Sequence, residues 1–163
     1  MIRRYSNVQI VLHWVVVVLV VAQYATSGAI TRSHQPRLIG QKPDPTDLVL
    51  HTAHNRVGLL ILLLMAGRLI IRFAREKSAP GPTGLNGLIS QLVHWSFYAV
   101  LIAEGAAGAV ASYLWWPAST AHVTLFKVLI GLSSVHVVAV IWHQFVMRDG
   151  TLRAMLPRLT VSR

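Results

Sequence analysis

Cysteine is absent from the 163-residue sequence, and charged residues make up only 12% of it. The missing thiols exclude disulfides, zinc–thiolate and iron–sulfur sites of the usual kind, and covalent cofactor attachment through a C-x-x-C-H motif. Average globular chains carry about 25% charged residues, so the shortage of charge argues against a soluble globular domain. Disorder is excluded as well, because it requires low hydrophobicity and this chain is 54% hydrophobic.

Acidic residues are also scarce, with five Asp and Glu against fifteen Lys and Arg and a net charge of +10. A strong positive charge is one footprint of nucleic-acid binding. Here, however, the basic residues lie between and beside apolar segments instead of forming a stripe or an arm. We therefore predict no nucleic-acid partner, because membrane topology explains the same charges better.

Long uncharged segments are what the sequence has in abundance. Arg4 and Arg32 are separated by 27 residues without a formal charge, and Lys127 and Arg148 by 20. About 20 helical residues cross a bilayer core. Together with two further apolar stretches, this predicts membrane-spanning helices at residues 8–30, 48–71, 88–115 and 122–147, with a tail at 148–163. The predicted fold is all-α, an integral membrane four-helix bundle in the lipid bilayer.

The segments between these spans are predicted to be short connectors, at residues 33–46, 78–84 and 116–121, because proline, glycine and polar residues concentrate there. Ser6-x-x-Gln9 is predicted to form a capping box that opens the first helix. Four spans place both termini on one side, which collects ten Lys and Arg against five on the other. By the positive-inside rule, both termini are predicted to be cytoplasmic.

The chain has eight histidines, and all but His34 fall in the predicted spans. His122 and His136 are 14 residues apart. At about 100° per residue they face within about 40° of each other, roughly 21 Å apart along the helix axis. One helix thus presents two imidazoles to the bundle interior, one near each membrane surface. By depth, His13 can meet the lower imidazole and His54 the upper one.

The depth argument leaves the partner of His13 open, and a substitute for His54 is also present. His143 lies seven residues after His136 on the same helix face and is also at a depth where it can meet His13. His51 is a less favoured substitute for His54. Facing imidazoles on separate helices of a bundle make a six-coordinate haem site, which without cysteine would hold haem non-covalently, as b type.

A different class of function remains an alternative at this point. Clustered histidines also bind zinc or copper, or relay protons, in membrane transporters. Metal transport more usually shows carboxylates among the histidines, and Glu104 is the only acidic residue within a predicted span. A haem-free, histidine-lined transporter is therefore the less favoured interpretation.

Four groups of residues along the chain have characteristic spacings. They are Tyr5-Ser6 with Gln9-Ile10 and His13-Trp14; His54-x-x-x-Gly58 with Arg68 and Arg72; His94-x-x-x-Tyr98 with Gly108; and His122, His136 and His143-x-Phe145, followed by Asp149-Gly150-x-Leu152-Arg153-x-Met155-Leu156-Pro157. Together they resemble the bacterial cytochrome b561 family, four-helix di-haem proteins of the inner membrane. The resemblance covers essentially the whole chain.

The resemblance implies two b-type haems, each held by two histidines. His13 and His136 would ligate the haem on the cytoplasmic side, and His54 and His122 the haem on the periplasmic side. The remaining implied site residues lie around these ligands. Arg56, Arg68 and Arg72 are either partners of haem propionates or charges that set the membrane topology. Gly58 allows either the close approach of a porphyrin or helix packing, and His94 and His143 lie beside a ligand or a quinone.

The activity implied by the resemblance is electron transfer in a respiratory chain, between an unidentified periplasmic-side partner and the membrane quinone pool. One branch of the family takes electrons from superoxide and passes them to ubiquinone. If the chain belonged to that branch, it would be an oxidoreductase. A cytochrome b subunit that anchors a hydrogenase or dehydrogenase is the alternative. Three features depart from the family pattern: Glu104 beside Gly105, where members often have proline, the short connector at 116–121, and Ala154.

Overall fold

A computed structural model describes residues 6–76, 84–148, 150 and 152–156. These residues form five α-helices: α1 (Asn7–Thr26), α2 (Gly28–Leu38), α3 (Pro45–Glu76), α4 (Gly84–Tyr113) and α5 (Ser119–Trp142). A 3₁₀ turn at Trp116–Ala118 precedes α5, a π-helical turn at His143–Met147 follows it, and the tail forms a 3₁₀ turn at Arg153–Met155. The described ranges contain no strand, and the predicted all-α fold is confirmed.

Four helical segments are long and apolar enough to cross a membrane: Asn7–Leu38, Pro45–Ala74, Gly87–Tyr113 and Trp116–Met147. Large apolar side chains cover their outer faces, with Val18, Leu63 and Val138 each more than 60% exposed. Helices satisfy their backbone hydrogen bonds internally, and their apolar outer faces match hydrocarbon. The chain is therefore a multi-pass membrane protein with four spans, as the hydropathy predicts.

The first helix begins at the predicted capping box. The backbone N–H of Gln9 donates to Ser6 Oγ at 3.3 Å, and the Ser6 N–H donates to Gln9 Oε1 at 3.1 Å. These two bonds satisfy N–H groups that the first turn of a helix leaves without partners.

The first connector is shorter than the predicted range 33–46. α2 continues to Leu38, so His34 lies in a helix and not in a connector. The polar side chains support the helix because Ser33 Oγ and His34 Nδ1 both bond the Ile30 carbonyl, at 2.9 and 2.8 Å. Pro36 sits close enough to the helix end to interrupt only the last turn.

The other boundaries move by a few residues. The third span ends at Tyr113, and helix resumes at Ser119, inside the segment predicted as the last connector. Asp44 precedes α3 and accepts the Thr46 N–H at 2.7 Å. That hydrogen bond lowers the pKa of the Asp44 carboxyl group below its usual value. Most of the 78–84 connector, Tyr5, and Asp149 and Pro157 of the tail motif lie outside the described residues.

The helices pack in the order α1, α3, α4, α5. Backbone packing is close between successive members of this series, and α2 packs on α3. Within the described ranges α1 and α5 have no comparable backbone packing, and they meet through side chains, as where the Tyr24 and Phe126 rings stack with centroids 6.1 Å apart. α1 and α5, which carry His13 and His136, are therefore further apart than successive helices of this series.

A small apolar core lies at the middle of the bundle, formed by Val16, Ile61, Met65, Leu101 and Leu129. Leu129 is midway in sequence between His122 and His136 on α5. The core therefore separates two levels of histidines, one toward each end of the bundle.

Candidate functional site

His54 of α3 and His122 of α5 lie close together at the end of the bundle remote from Ser6 and Leu156, which we call the upper level. His54 is 7% exposed, and the two ring centroids are 6.3 Å apart with the planes at 87°. At this separation both imidazoles could contact one group held between them. His54 and His122 are therefore the residues that would hold a haem iron at this level.

The hydrogen bonds around this pair determine which ring nitrogen carries the proton. His122 Nδ1 lies 3.0 Å from the Glu104 carbonyl oxygen, which only accepts, so Nδ1 is the protonated nitrogen. His54 Nδ1 lies 3.1 Å from Thr26 Oγ1, whose own proton is directed to the Ala22 carbonyl at 2.9 Å. Thr26 therefore accepts from His54 Nδ1.

Both imidazoles are consequently left with an unprotonated Nε2. This is the arrangement in which a histidine ligates a metal while its other nitrogen is held by an outer partner. The tautomers are inferred from the hydrogen-bond network. The donor set of the upper level thus fits a b-type haem, whose iron these two imidazole nitrogens would bind.

The Glu104 side chain adds an acidic group to the same level. Its Oε1 lies 3.3 Å from His122 Nδ1, and the two side chains are 16% and 22% exposed. Glu104 therefore contacts this ring through both its backbone and its carboxyl group. The sequence singles out this residue as unusual without indicating its partner.

Two glycines allow the close approach of side chains at this level. A Cβ on Gly108 would lie 3.0 Å from Cε1 and Nδ1 of His122, and one on Gly58 would lie 2.9 Å from Gln23 Nε2. The same Nε2 donates to the His54 carbonyl at 3.0 Å. Gln23 Oε1 is buried and has no protein partner among the described residues. The close approach to Gly58 is thus made by Gln23.

A second group of residues surrounds His13 on α1, and we call it the lower level. His13 lies close enough to Arg68, His94 and His136 to interact electrostatically with each of them. His136 also packs edge-on against Phe97, with ring centroids 5.4 Å apart. The structure therefore brings the predicted partners His13 and His136 to one level.

His94 resembles the upper pair in its hydrogen bonding. Its Nδ1 donates to the Ser90 carbonyl at 2.6 Å, which leaves Nε2 unprotonated. Electrostatic interactions link it to Arg68, Arg72 and His136. His94 thus lies near Arg68, Arg72 and His136.

The remaining predicted residues lie further out. The Arg72 guanidinium stacks over the Trp95 and Tyr98 rings, at 4.6 and 5.5 Å from their centroids. Arg56 is exposed near the upper level. His143 is half-buried in a shallow groove that Val138 and Trp142 also line. Across the described ranges, no group of three or more His, Cys, Asp or Glu is placed to hold a metal ion.

Thr26 and Gln23 are site residues that the sequence analysis missed. Both are ordinary polar residues near the end of an apolar helix, and their contacts with His54 cross 28 and 31 positions. The sequence shows only that both residues are polar and lie one or two turns before the end of the first span. This position does not identify a partner on another helix.

A family model described as prokaryotic cytochrome b561 matches residues 4–158, nearly the whole chain. The chain belongs to the prokaryotic cytochrome b561 family. Membership establishes a membrane cytochrome b with an electron-transfer role, and it implies binding of b-type haem. The resemblance read from the sequence motifs is thereby confirmed.

Three curated relatives match over almost their full lengths. A probable superoxide oxidase CybB of Yersinia pestis is 25% identical over 96% of this chain and 97% of its own. A cytochrome b562 of Cereibacter sphaeroides is 30% identical over 94% and 96% of the two chains. The cytochrome b561 homolog 1 of Escherichia coli K12 is 26% identical over 96% and 98%.

Proposed function

We propose that this cytochrome binds two b-type haems, each between two histidines, and exchanges electrons between a periplasmic-side donor and the membrane quinone pool. His54 and His122 are the proposed ligands at the upper level, and His13 and His136 at the lower. The observation that carries the proposal is the His54–His122 pair, with its 6.3 Å ring separation and two unprotonated Nε2 atoms. When bound, haem supplies a one-electron iron couple.

The protein's own contribution is to hold and orient these ligands. Thr26 and the Glu104 carbonyl hold the Nδ1–H groups, so that each ring keeps its angle and its tautomer. We assign Arg68 to propionate binding at the lower level because of its proximity to His13. Arg56 is the corresponding candidate at the upper level.

The proposed quinone side lies at the lower level, around His94 and Arg72. Arg72 is held in place by Trp95 and Tyr98, so its guanidinium is oriented before any ligand arrives. A shallow groove lined by Val138, Trp142 and His143 lies on the last span and is the surface at which we propose that quinone binds.

We further propose that the protein lies in the bacterial inner membrane with the upper level facing the periplasm. The positive-inside distribution supports this orientation. Superoxide is the proposed donor, because one relative is named a probable superoxide oxidase and because basic residues on the periplasmic side would attract an anion. Arg32 is ion-paired with Asp47 at 2.8 Å, so the attraction falls mainly to Arg37, Lys42 and Arg56.

The first test is a reduced-minus-oxidised spectrum and a haem count on protein purified in mild detergent. We expect two low-spin b haems per chain in the parent protein, and one in each of the variants His54→Ala and His136→Ala. One haem in the parent protein would show that one proposed pair is wrong. Absence of haem after expression with ample haem supply would reject the proposal and favour the transporter interpretation.

The second test addresses the donor and acceptor. Purified protein is supplied with superoxide and a soluble ubiquinone analogue, and quinol formation is followed at several ionic strengths. We expect quinol formation that exceeds the protein-free reaction and weakens with salt, because an anion is steered by surface charge. A fully haem-loaded protein that reduces no quinone at any ionic strength would reject superoxide as donor. Co-purification with a large soluble subunit would instead favour the membrane-anchor alternative.

A further inference from the structure

A second pair of histidines lies near the upper level and takes no part in the proposed haem sites. His34 of α2 and His51 of α3 have ring centroids 5.0 Å apart, with the planes tilted by 44°. Both side chains are half-buried, so solvent can reach them. The pair brings together two helices that are separated in the chain by the 39–44 loop.

Hydrogen bonds fix the tautomer of His34. Its Nδ1 lies 2.8 Å from the Ile30 carbonyl oxygen. A carbonyl only accepts hydrogen bonds, so the proton must be on Nδ1. The Nε2 of His34 therefore carries a free lone pair.

The same conclusion follows for His51 through Ser33. Ser33 is 1% exposed, and its hydroxyl donates its single proton to the Ile30 carbonyl at 2.9 Å. Its oxygen is 2.8 Å from His51 Nδ1, and both contacts of the hydroxyl are hydrogen bonds only in the tautomer in which Nδ1–H donates to Ser33. His51 thus also carries its proton on Nδ1, and its Nε2 is a free lone-pair donor.

Neither Nε2 has a proton to share with the other ring. The two neutral imidazoles lie 5.0 Å apart, and each has a lone pair on Nε2. One metal ion can accept both lone pairs. Each Nδ1–H is already bound to an outer partner, as is usual for histidines that ligate metals. Trp116 stacks on His34 with centroids 4.8 Å apart and restricts the ring further.

The nearby charges set the strength of such a site. Arg37 interacts electrostatically with His51 and opposes a cation. Asp47, four residues before His51 on α3, is already ion-paired with Arg32. A site of two imidazoles without a free carboxylate is expected to bind weakly and to complete its shell with water.

We propose that His34 and His51 form a two-histidine site for a divalent transition-metal ion of the Zn²⁺ type, which joins α2 to α3. Imidazole suits zinc, copper and nickel, and a zinc site with fewer than four protein ligands keeps water in the open positions. The site differs from the haem ligands in its residues and does not depend on the proposed function.

The test uses the full chain in detergent, with Zn²⁺ as the only added metal. Equilibrium dialysis against buffered Zn²⁺, followed by metal analysis, gives the zinc bound per chain. We expect the parent protein to bind one Zn²⁺ more than the variants His34→Ala and His51→Ala. Ser33→Ala should weaken binding by about tenfold, the lower end of the usual effect of losing an outer-shell partner. Gln35→Ala, which changes an exposed side chain next to His34 on α2, should bind as the parent does.

Thermal unfolding gives an independent measurement. Zn²⁺ should raise the unfolding temperature of the parent and of Gln35→Ala, and should leave that of His34→Ala unchanged, because a ligand stabilises only the state that binds it. Equal zinc binding by the parent, His34→Ala and Ser33→Ala would overturn the proposal. Should His51→Ala fail to fold, the other two variants decide the question, since both keep α3 intact.

Discussion

The indole Nε1 of Trp14 donates to the carbonyl oxygen of Met155 at 2.8 Å, across 141 positions in the sequence. This hydrogen bond connects α1 to the 3₁₀ turn at Arg153–Met155, at the position next to His13. Together with the Tyr24–Phe126 stack, it bridges the side of the bundle where α1 and α5 are not closely packed.

Trp14→Phe should release the tail while keeping an aromatic ring in place. A net hydrogen bond contributes about 1 kcal/mol, so the released population should rise roughly fivefold. Trypsin cleavage at the exposed Arg153 measures this population. The control is Trp142→Phe, a change at an exposed tryptophan on α5. Equal cleavage rates in both variants would show that the hydrogen bond does not hold the tail.

Gly108→Ala should disturb the upper level, because the new methyl group would lie 3.0 Å from the His122 ring. Overpacking of this kind costs about 1–3 kcal/mol, and here it would also displace a proposed ligand. We expect a lower unfolding temperature and reduced haem content. Gly131→Ala, at a helical position of α5 where a Cβ meets nothing within 4 Å, is the control. A Gly108→Ala protein with the stability and haem content of Gly131→Ala would contradict the assigned close contact.

Thr26→Val should leave the Nδ1–H of His54 without an acceptor inside the bundle. An unsatisfied buried donor costs about 1–3 kcal/mol, and loss of an outer-shell partner lowers metal affinity by about 10–100-fold. We expect weaker haem retention in a competition assay with apo-myoglobin. Thr26→Ser keeps the hydroxyl group and should behave as the parent does. Similar haem loss from both variants would point to packing at Thr26 and not to its hydrogen bond.

Glu104→Gln should raise the reduction potential of one haem. A carboxylate 3.3 Å from His122 makes the imidazole a stronger donor and favours the oxidised iron, and the amide removes that effect but keeps the backbone carbonyl. A tenfold change in the redox equilibrium corresponds to about 59 mV, and we expect a shift of that order in a redox titration. The second haem serves as the internal control. An unchanged potential would indicate that the Glu104 carboxyl group is neutral in the folded protein.

The absence of cysteine allows a direct test of orientation. Gln41→Cys places a thiol in the 39–44 loop, and Arg153→Cys places one in the tail. In intact spheroplasts, a membrane-impermeant maleimide should label the first variant and should label the second only after permeabilisation. The reverse pattern would place the termini outside and overturn the positive-inside prediction.

The sequence by itself determined the number of spans, their approximate ends and the capping box at Ser6. It also indicated that His122 and His136 share one helix face. These features are local: hydropathy over about 20 residues, the helical period and the position of proline and glycine depend on neighbours in the chain. The motifs were enough to indicate the family as well, because their spacings are likewise properties of the linear sequence.

Only the tertiary structure decided which groups hold the histidines. That His34 lies in a helix depends on hydrogen bonds to Ile30 and on packing beside His51. The acceptors of the His54 and His122 rings, Thr26 Oγ1 and the Glu104 carbonyl, come from other helices. Contacts across separate helices depend on how the helices rotate and cross, and no local pattern encodes these angles. Hydropathy therefore places each histidine at a depth in the bilayer, whereas packing decides which nitrogen is free to bind.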